Sequence, residues 1–339
     1  MLEFLTSLPT LLHSAVVFGT VIMLGALGEI LTEKSGNLNL GVPGIMYIGA
    51  IAGLIAAYFY EVQGGGTNQI LCLVVSVVAA FAASMAAGLI YSFLTISLRT
   101  NQNVTGLTLT IFGSGVGNFF GCSLTKLAGG QPGQIKVPIT NTVFTAYSEK
   151  LVKWLDDLTP HVKLGNLLFS YGFLTYVAIA IAIAMWFYFK KTRSGLCLRS
   201  VGENTATADA AGINVTKYKY LATCIGAGIS GLGGLYYVMS YIGGTWESLG
   251  TIEALGWLAV ALVIFTTWKP IRAIWGAYLF GVLYWSYYYI PGLDRSSMEL
   301  FKMLPYLATL AILMIVSFRR KPEDQPPASL GLPYFREER

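Results

Sequence analysis

Nine apolar runs, mostly about 18 to 25 residues long and separated by short polar or basic stretches, organise this chain; they fall near residues 9 to 31, 43 to 60, 69 to 97, 103 to 124, 171 to 189, 217 to 241, 250 to 267, 271 to 290 and 301 to 318. A helix rising about 1.5 Å per residue crosses a hydrocarbon core about 30 Å thick in about 20 residues. The pattern therefore predicts an all-α membrane protein, a polytopic bundle of about nine transmembrane helices filling residues 1–318. The glycine-rich stretch from Gly41 to Gly53 suggests a broken second helix. Composition agrees: of 339 residues, 55% are hydrophobic and 12% charged, against about 25% charged in soluble domains.

Charge sets the topology. Around the stretch from Thr192 to Tyr220, six basic residues (Lys190, Lys191, Arg193, Arg199, Lys217, Lys219) stand against two acidic ones, Glu203 and Asp209. Such an excess marks a cytoplasmic loop, here residues 190–216. A second basic cluster, Arg319 to Lys321, follows the ninth run, and an even number of crossings separates the two. Both can then be cytoplasmic, which puts the N-terminus outside and the C-terminus inside. The net charge of +5 reads as topology, with no nucleic-acid partner implied. No Lys or Arg precedes the first run, so it reads as a retained span and not a signal peptide.

Inside the basic loop a short helix is delimited by its own residues. Asn204 can cap the first turn, Thr205 to Ala211 is alanine-rich, and Gly212 stands where a left-handed terminator is expected. Two turns tethered between spans make a knob able to push on a soluble partner. The segment 125–170, placed outside, carries five basic and three acidic residues. There Phe144, Tyr147, Leu151, Trp154, Leu155 and Leu158 recur at helical spacing, predicting an amphipathic helix at the membrane interface or at a partner's docking face. The Pro-rich, charged tail, 319–339, predicts disorder.

Candidate chemistry is sparse. The segment GEILTEKS, Gly28 to Ser35, departs from a P-loop at Glu33 and follows a span, not a buried strand. Likewise GAGISG, Gly226 to Gly231, satisfies GxGxxG with no strand before it, and reads as a packing surface. Gly226, Ser230 and Gly234, like Gly113, Gly117 and Gly121, are spaced to let helix backbones approach. His13 and His161 are remote in sequence from any acidic or cysteine cluster, and the four cysteines are isolated, so no metal or catalytic base is implied. A solute pathway without a nucleotide site leaves a channel, an ion-gradient carrier, or the membrane half of a pump whose ATPase is another chain. Carriers commonly hold midplane carboxylates; here only Glu29, Glu247 and Glu253 approach the spans, near their ends. The midplane polar groups are neutral: Ser84, Thr105, Thr108, Thr110, Ser114 and Asn118, suited to an uncharged solute. Tyr236, Tyr237, Tyr241 and Trp246, and Tyr284 to Tyr289, form aromatic clusters that read as interfacial belts or as rings able to stack on a base or sugar. Thr108, Ser114, Asn118 and Tyr237 are the candidate translocation residues.

The loop TRSGLCLRSVGENTATADAAGINVTKYKYLA resembles the cytoplasmic coupling segment of bacterial ABC-transporter permeases in the branched-chain amino acid and simple-sugar group. ALGEILTEKSGNLNLGVPGIMYIGA, Ala26 to Ala50, resembles the N-terminal motif of that group's nucleoside-uptake branch, and Ala259 to Leu283 is similar to its late pair of spans. Pro43 stands where that branch usually has glutamate, and Thr205 where the coupling segment usually has proline. The resemblance implies an importer permease in the bacterial cell membrane, not itself an enzyme. Its implied partners are a cytoplasmic ATPase that binds ATP and Mg, a second permease chain expected to differ from this one, and an extracytoplasmic substrate-binding protein. Glu203, Asn204, Thr205, Asp209 and Gly212 would couple it to the ATPase. A simple-sugar permease and a stand-alone facilitator or ion-coupled carrier stay open as alternatives.

Overall fold

The computed structural model describes residues 2–129, 135–158, 164–247, 250–290, 294–319, 321 and 324–335; His161 and Arg320 lie outside them. In chain order the helices are α1 (Leu2–Glu33), α2 (Val42–Tyr58), α3 (Gln69–Ser92), α4 (Gln102–Leu127), α5 (Pro138–Thr145), α6 (Glu149–Leu158), α7 (Leu164–Phe169), α8 (Phe173–Lys191), α9 (Arg193–Glu203), α10 (Thr205–Ala210), α11 (Val215–Tyr236), α12 (Thr251–Phe265), α13 (Pro270–Trp285), α14 (Arg295–Lys302) and α15 (Leu304–Arg319). Short π turns extend α2, α3 and α11 through Gln63, Ser97 and Tyr241. Helices α1, α2, α3, α4, α8 and α11, with these extensions, are long and apolar enough to cross a membrane, and α12 and α15 are shorter apolar helices. With α13 they match the nine expected runs to within a few residues. The second span is unbroken.

α1, α2 and α11 form the centre, with α3, α12 and α13 packed around them. Small residues put them there. A Cβ at Gly226 would overlap the Gly28 carbonyl oxygen, one at Gly234 the Met46 oxygen, and one at Gly113 the Gly44 backbone. Both small-residue stripes are thus packing surfaces: Gly226–Ser230–Gly234 receives α1 and α2, and Gly113–Gly117–Gly121 receives α2 and Trp246. The glycines of Gly41 to Gly53 serve the same end, with Gly44 against α4 and Gly49 against Gly231. With no hydrophobic drive between helices in lipid, close backbone approach and interhelical hydrogen bonds hold them. Ser84 Oγ donates to the Ile45 oxygen at 3.3 Å and Ser230 Oγ to the Gly25 oxygen at 2.9 Å.

Three expectations change. The amphipathic segment is three helices, α5 to α7: extended backbone at Ala146 ends α5, and Phe144 is buried in the core while Tyr147, Trp154 and Leu158 of the second stretch are exposed. The described tail is ordered, because its polar groups find partners along the end of the bundle that carries α9 and α10, hereafter the basic end. Tyr236, Tyr237 and Trp246 are buried core residues and not a belt; in the later cluster Tyr288 is as exposed as a belt residue would be.

A Gly226→Val change should lower stability in detergent by roughly 1–3 kcal/mol, the usual cost of overpacking, read as a fall in the thermal midpoint. Gly115→Ala on α4, where a Cβ would meet nothing within 4 Å, should stay within about 0.5 kcal/mol of the parent.

Candidate functional site

The basic end is built on the turn KSGNLNLG between α1 and α2, whose first residues, Lys34 to Gly36, bond back to the end of α1 and whose later part hydrogen-bonds with side chains of α1 and of neighbouring helices. Glu29 Oε1 accepts from Asn39 N at 3.0 Å, and Asn39 Oδ1 from Gly41 N at 2.9 Å. Gln102 Oε1 of α4 accepts from Leu38 N at 2.7 Å, while Tyr91 of α3 donates its hydroxyl to the Leu38 oxygen. Thr110 donates to the Leu40 oxygen at 2.9 Å. Asn37 Nδ2 reaches Thr223 of α11 at 3.0 Å and Thr95 at 3.5 Å. Glu33 accepts from the indole N–H of Trp268. Glu29, Glu33, Asn37 and Asn39 are all buried. This knot escaped the sequence reading, which placed Glu29 only as a span-end charge; its one advance signal was polar residues packed densely between two spans.

The coupling candidates sit directly against the knot. Thr192 caps α9, accepting from Gly195 N at 3.0 Å, a helix the sequence reading missed. Asn204 interrupts it: its extended backbone (φ −147°, ψ 98°) ends α9 while its Oδ1 caps α10, accepting from Thr207 N at 2.9 Å. Thr205 is buried, donating to the Val201 oxygen at 3.1 Å. Gly212 terminates α10 at φ +81°, a conformation that glycine adopts without penalty. Val201, Ala208 and Val215 form a small apolar cluster joining α9, α10 and α11. Gly202 abuts the Lys34 carbonyl so closely that any Cβ would clash. Burial holds the Lys34 ammonium below its usual range, opposed in part by Glu203. The pair α9–α10 is therefore seated on the end of α1 and the start of α11.

The tail straps this assembly. Asp324 Oδ1 accepts from Lys269 Nζ at 2.7 Å and from Arg272 at 3.0 Å, and hydrogen bonding to Lys269 holds its carboxyl below the ordinary range. Further on, Ser329 N donates to the Gly202 oxygen at 2.9 Å, Ala328 N to Glu203 Oε2 at 3.4 Å, and Tyr334 Oη to Asp209 Oδ2 at 2.7 Å. Phe335 ends under the Arg99 guanidinium, 4.6 Å from the ring centroid. Glu203, Asn204, Thr205, Asp209 and Gly212 are thus gathered in one module.

The four candidate pathway residues are not gathered. Thr108 is exposed, its hydroxyl donating to the Val104 oxygen of its own helix at 2.8 Å. Ser114 likewise serves Ile111 at 3.0 Å. A hydroxyl satisfied by its own preceding turn can face outward, so neutral polarity along α4 does not by itself locate a pathway. Asn118 and Tyr237 belong to the far end. There Tyr237 stacks on Tyr241 at 5.2 Å and Trp246 lies against Gly121 and Tyr47. Asn118 Oδ1 and Trp246 Nε1 are buried without a hydrogen-bond partner among the described residues. At the same end Glu61 accepts from Ile139 N at 2.7 Å and from Thr140 N at 2.9 Å, fastening the start of α5 to α2; a carboxylate suits a helix N-terminus.

A family model described as branched-chain amino acid transport system / permease component matches residues 11–313. The guanosine ABC transporter permease protein NupQ of Bacillus subtilis is 31% identical, over 98% of each chain. The nucleoside ABC transporter permease protein NupC of Lactococcus lactis is 29% identical, covering 91% of this chain and 92% of its own. TsgC13 of Haloferax volcanii, a permease provisionally named for glucose, is 34% identical over 80% of this chain and 75% of its own.

Two outcomes follow from this geometry. Trp268→Phe strands a buried carboxylate and should cost about 1–3 kcal/mol, whereas adding Glu33→Gln should return part of it; thermal unfolding of both singles and the double measures the coupling. Asp324→Asn should speed amide exchange of residues 324–335 roughly two- to fivefold, the scale of solvent-accessible ion pairs. Because the folded carboxyl lies below its ordinary value of 3.8, this hold is full above that value and is lost as pH falls through the depressed one. Tail exchange, corrected for its intrinsic pH dependence, should be flat from about pH 5 to 8.

Proposed function

The chain belongs to the branched-chain amino acid transport system permease family, and on that premise we propose that it is the pathway-forming subunit of an ATP-binding-cassette importer for a nucleoside. The observation that carries this reading is the α9–α10 module: two capped helices on the basic end, wedged against the ends of α1 and α11 where a push is transmitted to the central spans. The names of NupQ and NupC, which match nearly the whole chain, support the nucleoside. The name of TsgC13 favours a sugar instead, and that is the second reading.

On this reading the basic end faces the cytoplasm of a bacterial cell, with the N-terminus outside, and the ATPase and its ATP and Mg belong to a separate chain. A second permease chain completes the pathway. A substrate-binding protein delivers cargo to the far end, where α5 to α7 lie. Glu203, Asn204, Thr205, Asp209 and Gly212 form the coupling module, of which Glu203 and Asp209 present charge and the others set its shape. Tyr237 and Asn118, with Trp246, are the pathway residues at the far end. Thr108 and Ser114 face the pathway only across the second permease chain. Nucleotide-driven closure of the ATPases would bias one of two packed arrangements, so transport draws on differential binding free energy.

Deleting residues 203–212 should abolish pull-down of the ATPase while membrane insertion persists; retained association would sink the coupling assignment. Uptake of labelled guanosine or adenosine by cells carrying the full set of subunits should depend on the ATPase. Uptake of ribose or glucose in their place would overturn the nucleoside, and uptake following a Na⁺ or H⁺ gradient would overturn the importer.

A further inference from the structure

A cavity of about 830 Å³ opens at the basic end between the end of α3, the start of α11 and the tail. Arg99, Lys217 and Lys219 line it. Lys219 is 3% exposed, yet none of the ion pairs or hydrogen bonds among the described residues involves its side chain. A buried ammonium without a counter-ion is costly unless something supplies the charge. Among the described residues the one acidic group on the wall, Asp209, is already held by the Tyr334 hydroxyl at 2.7 Å.

The backbone adds to the same field. Asn214 caps α11, taking up the N–H of Lys217 at 3.0 Å, while Val215 and Thr216, also on the wall, occupy first-turn positions whose N–H groups have no acceptor within a helix. The positive end of the 22-residue α11 thus points into a space that already holds three cations. Charge-assisted hydrogen bonds from such a set suit a phosphate group, with its several acceptor oxygens and its charge.

We propose that this cavity is an anion site for a phosphate-bearing ligand, gripped by Lys219 with Arg99 and Lys217. The ligand is either the headgroup of an anionic phospholipid or a soluble phosphate. The lipid fits the surroundings: Leu221 on the wall is exposed, as are Ile225 one turn further along α11 and Phe93 on α3, an apolar surface on which an acyl chain can lie. Basic pockets between membrane helices on the cytoplasmic side hold anionic headgroups in this way. The site stands on geometry; only its assignment to the cytoplasmic leaflet rests on the importer reading.

The test uses the purified full chain in detergent, with the thermal midpoint read during titration with phosphatidylglycerol, phosphatidylcholine or inorganic phosphate, the last against sodium chloride of equal ionic strength. Phosphatidylglycerol should raise the midpoint where phosphatidylcholine does not. Lys219→Met should weaken the half-saturating concentration about tenfold, the scale of one lost charge-assisted contact. Without any anion, Lys219→Met should melt higher than the parent, since it removes a buried charge that has no partner among the described residues. A response to inorganic phosphate equal to that for phosphatidylglycerol supports the site and assigns it to a soluble anion. The proposal is overturned if neither probe exceeds its control, or if Lys219→Met responds as the parent does. Should that variant not fold, Arg99→Gln and Lys217→Gln, singly and together, must weaken the response; an unchanged titration overturns it equally.

Discussion

Burial of Glu29, Glu33, Asn37 and Asn39 within an apolar bundle is the constraint on which the rest depends. An unpaired polar group in such surroundings costs several kcal/mol, so the turn between α1 and α2 can exist only where other helices present complementary atoms. Those atoms come from Tyr91, Thr95, Gln102, Thr110, Thr223 and Trp268, so one turn dictates the relative heights of α3, α4, α11 and the α12–α13 corner. That corner bears a mark of the demand. Thr267 and Trp268 both have φ near +54°, unusual for residues with side chains, and this conformation delivers the indole N–H to Glu33.

The knot explains why the α9–α10 pair sits where it does. Gly202 of α9 rests on the Lys34 carbonyl, the residue after Glu33, so α9–α10 touches the same turn that ties the spans together. At its other edge Val201 and Ala208 meet Val215 at the start of α11. A force on α10 therefore reaches the two central helices through backbone and packed side chains. It does not pass through a flexible loop.

The fold was legible because lipid imposes a coarse rule on sequence: a span must be apolar for about 20 residues, and the basic residues flanking it report its end. Gly212 and Asn204 were legible for a local reason, since a cap and a left-handed terminator act within a few residues of themselves. The small-residue stripes on α4 and α11 could be seen as contact surfaces, though not which helix each receives. What could not be read depends on distance in sequence. Glu33 and Trp268 are separated by 235 residues, and nothing local to either announces the other. The tail misled for the same reason: DQPPASLGLPYF, residues 324–335, has the composition of a disordered chain, and is ordered by groups on α9, α10 and the α12–α13 corner that composition does not contain. Thr108 shows a different limit: a hydroxyl bonded to its own helix needs no polar surroundings, so its residue type does not say which way it faces.

The way these helices touch limits how the molecule can move. Where Gly28 meets Gly226 and Gly44 meets Gly113, the backbones are in contact with no side chain between them to deform. Sliding one helix by a fraction of a turn would drive a carbonyl into a Cβ, so α1, α2, α4 and α11 must move together or jump to a distinct packing. The elements free of such locks are at the ends. The π turns Phe59–Gln63, Phe93–Ser97 and Tyr237–Tyr241 finish α2, α3 and α11 with i→i+5 hydrogen bonding, and two of them carry the far-end groups Glu61 and Tyr237. On the importer reading, a push at α10 would tilt the central helices as one body, and the change of shape at the far end would be taken up in those π turns. Tyr237 and Trp246 would then lie in the part of the pathway that opens at the far end.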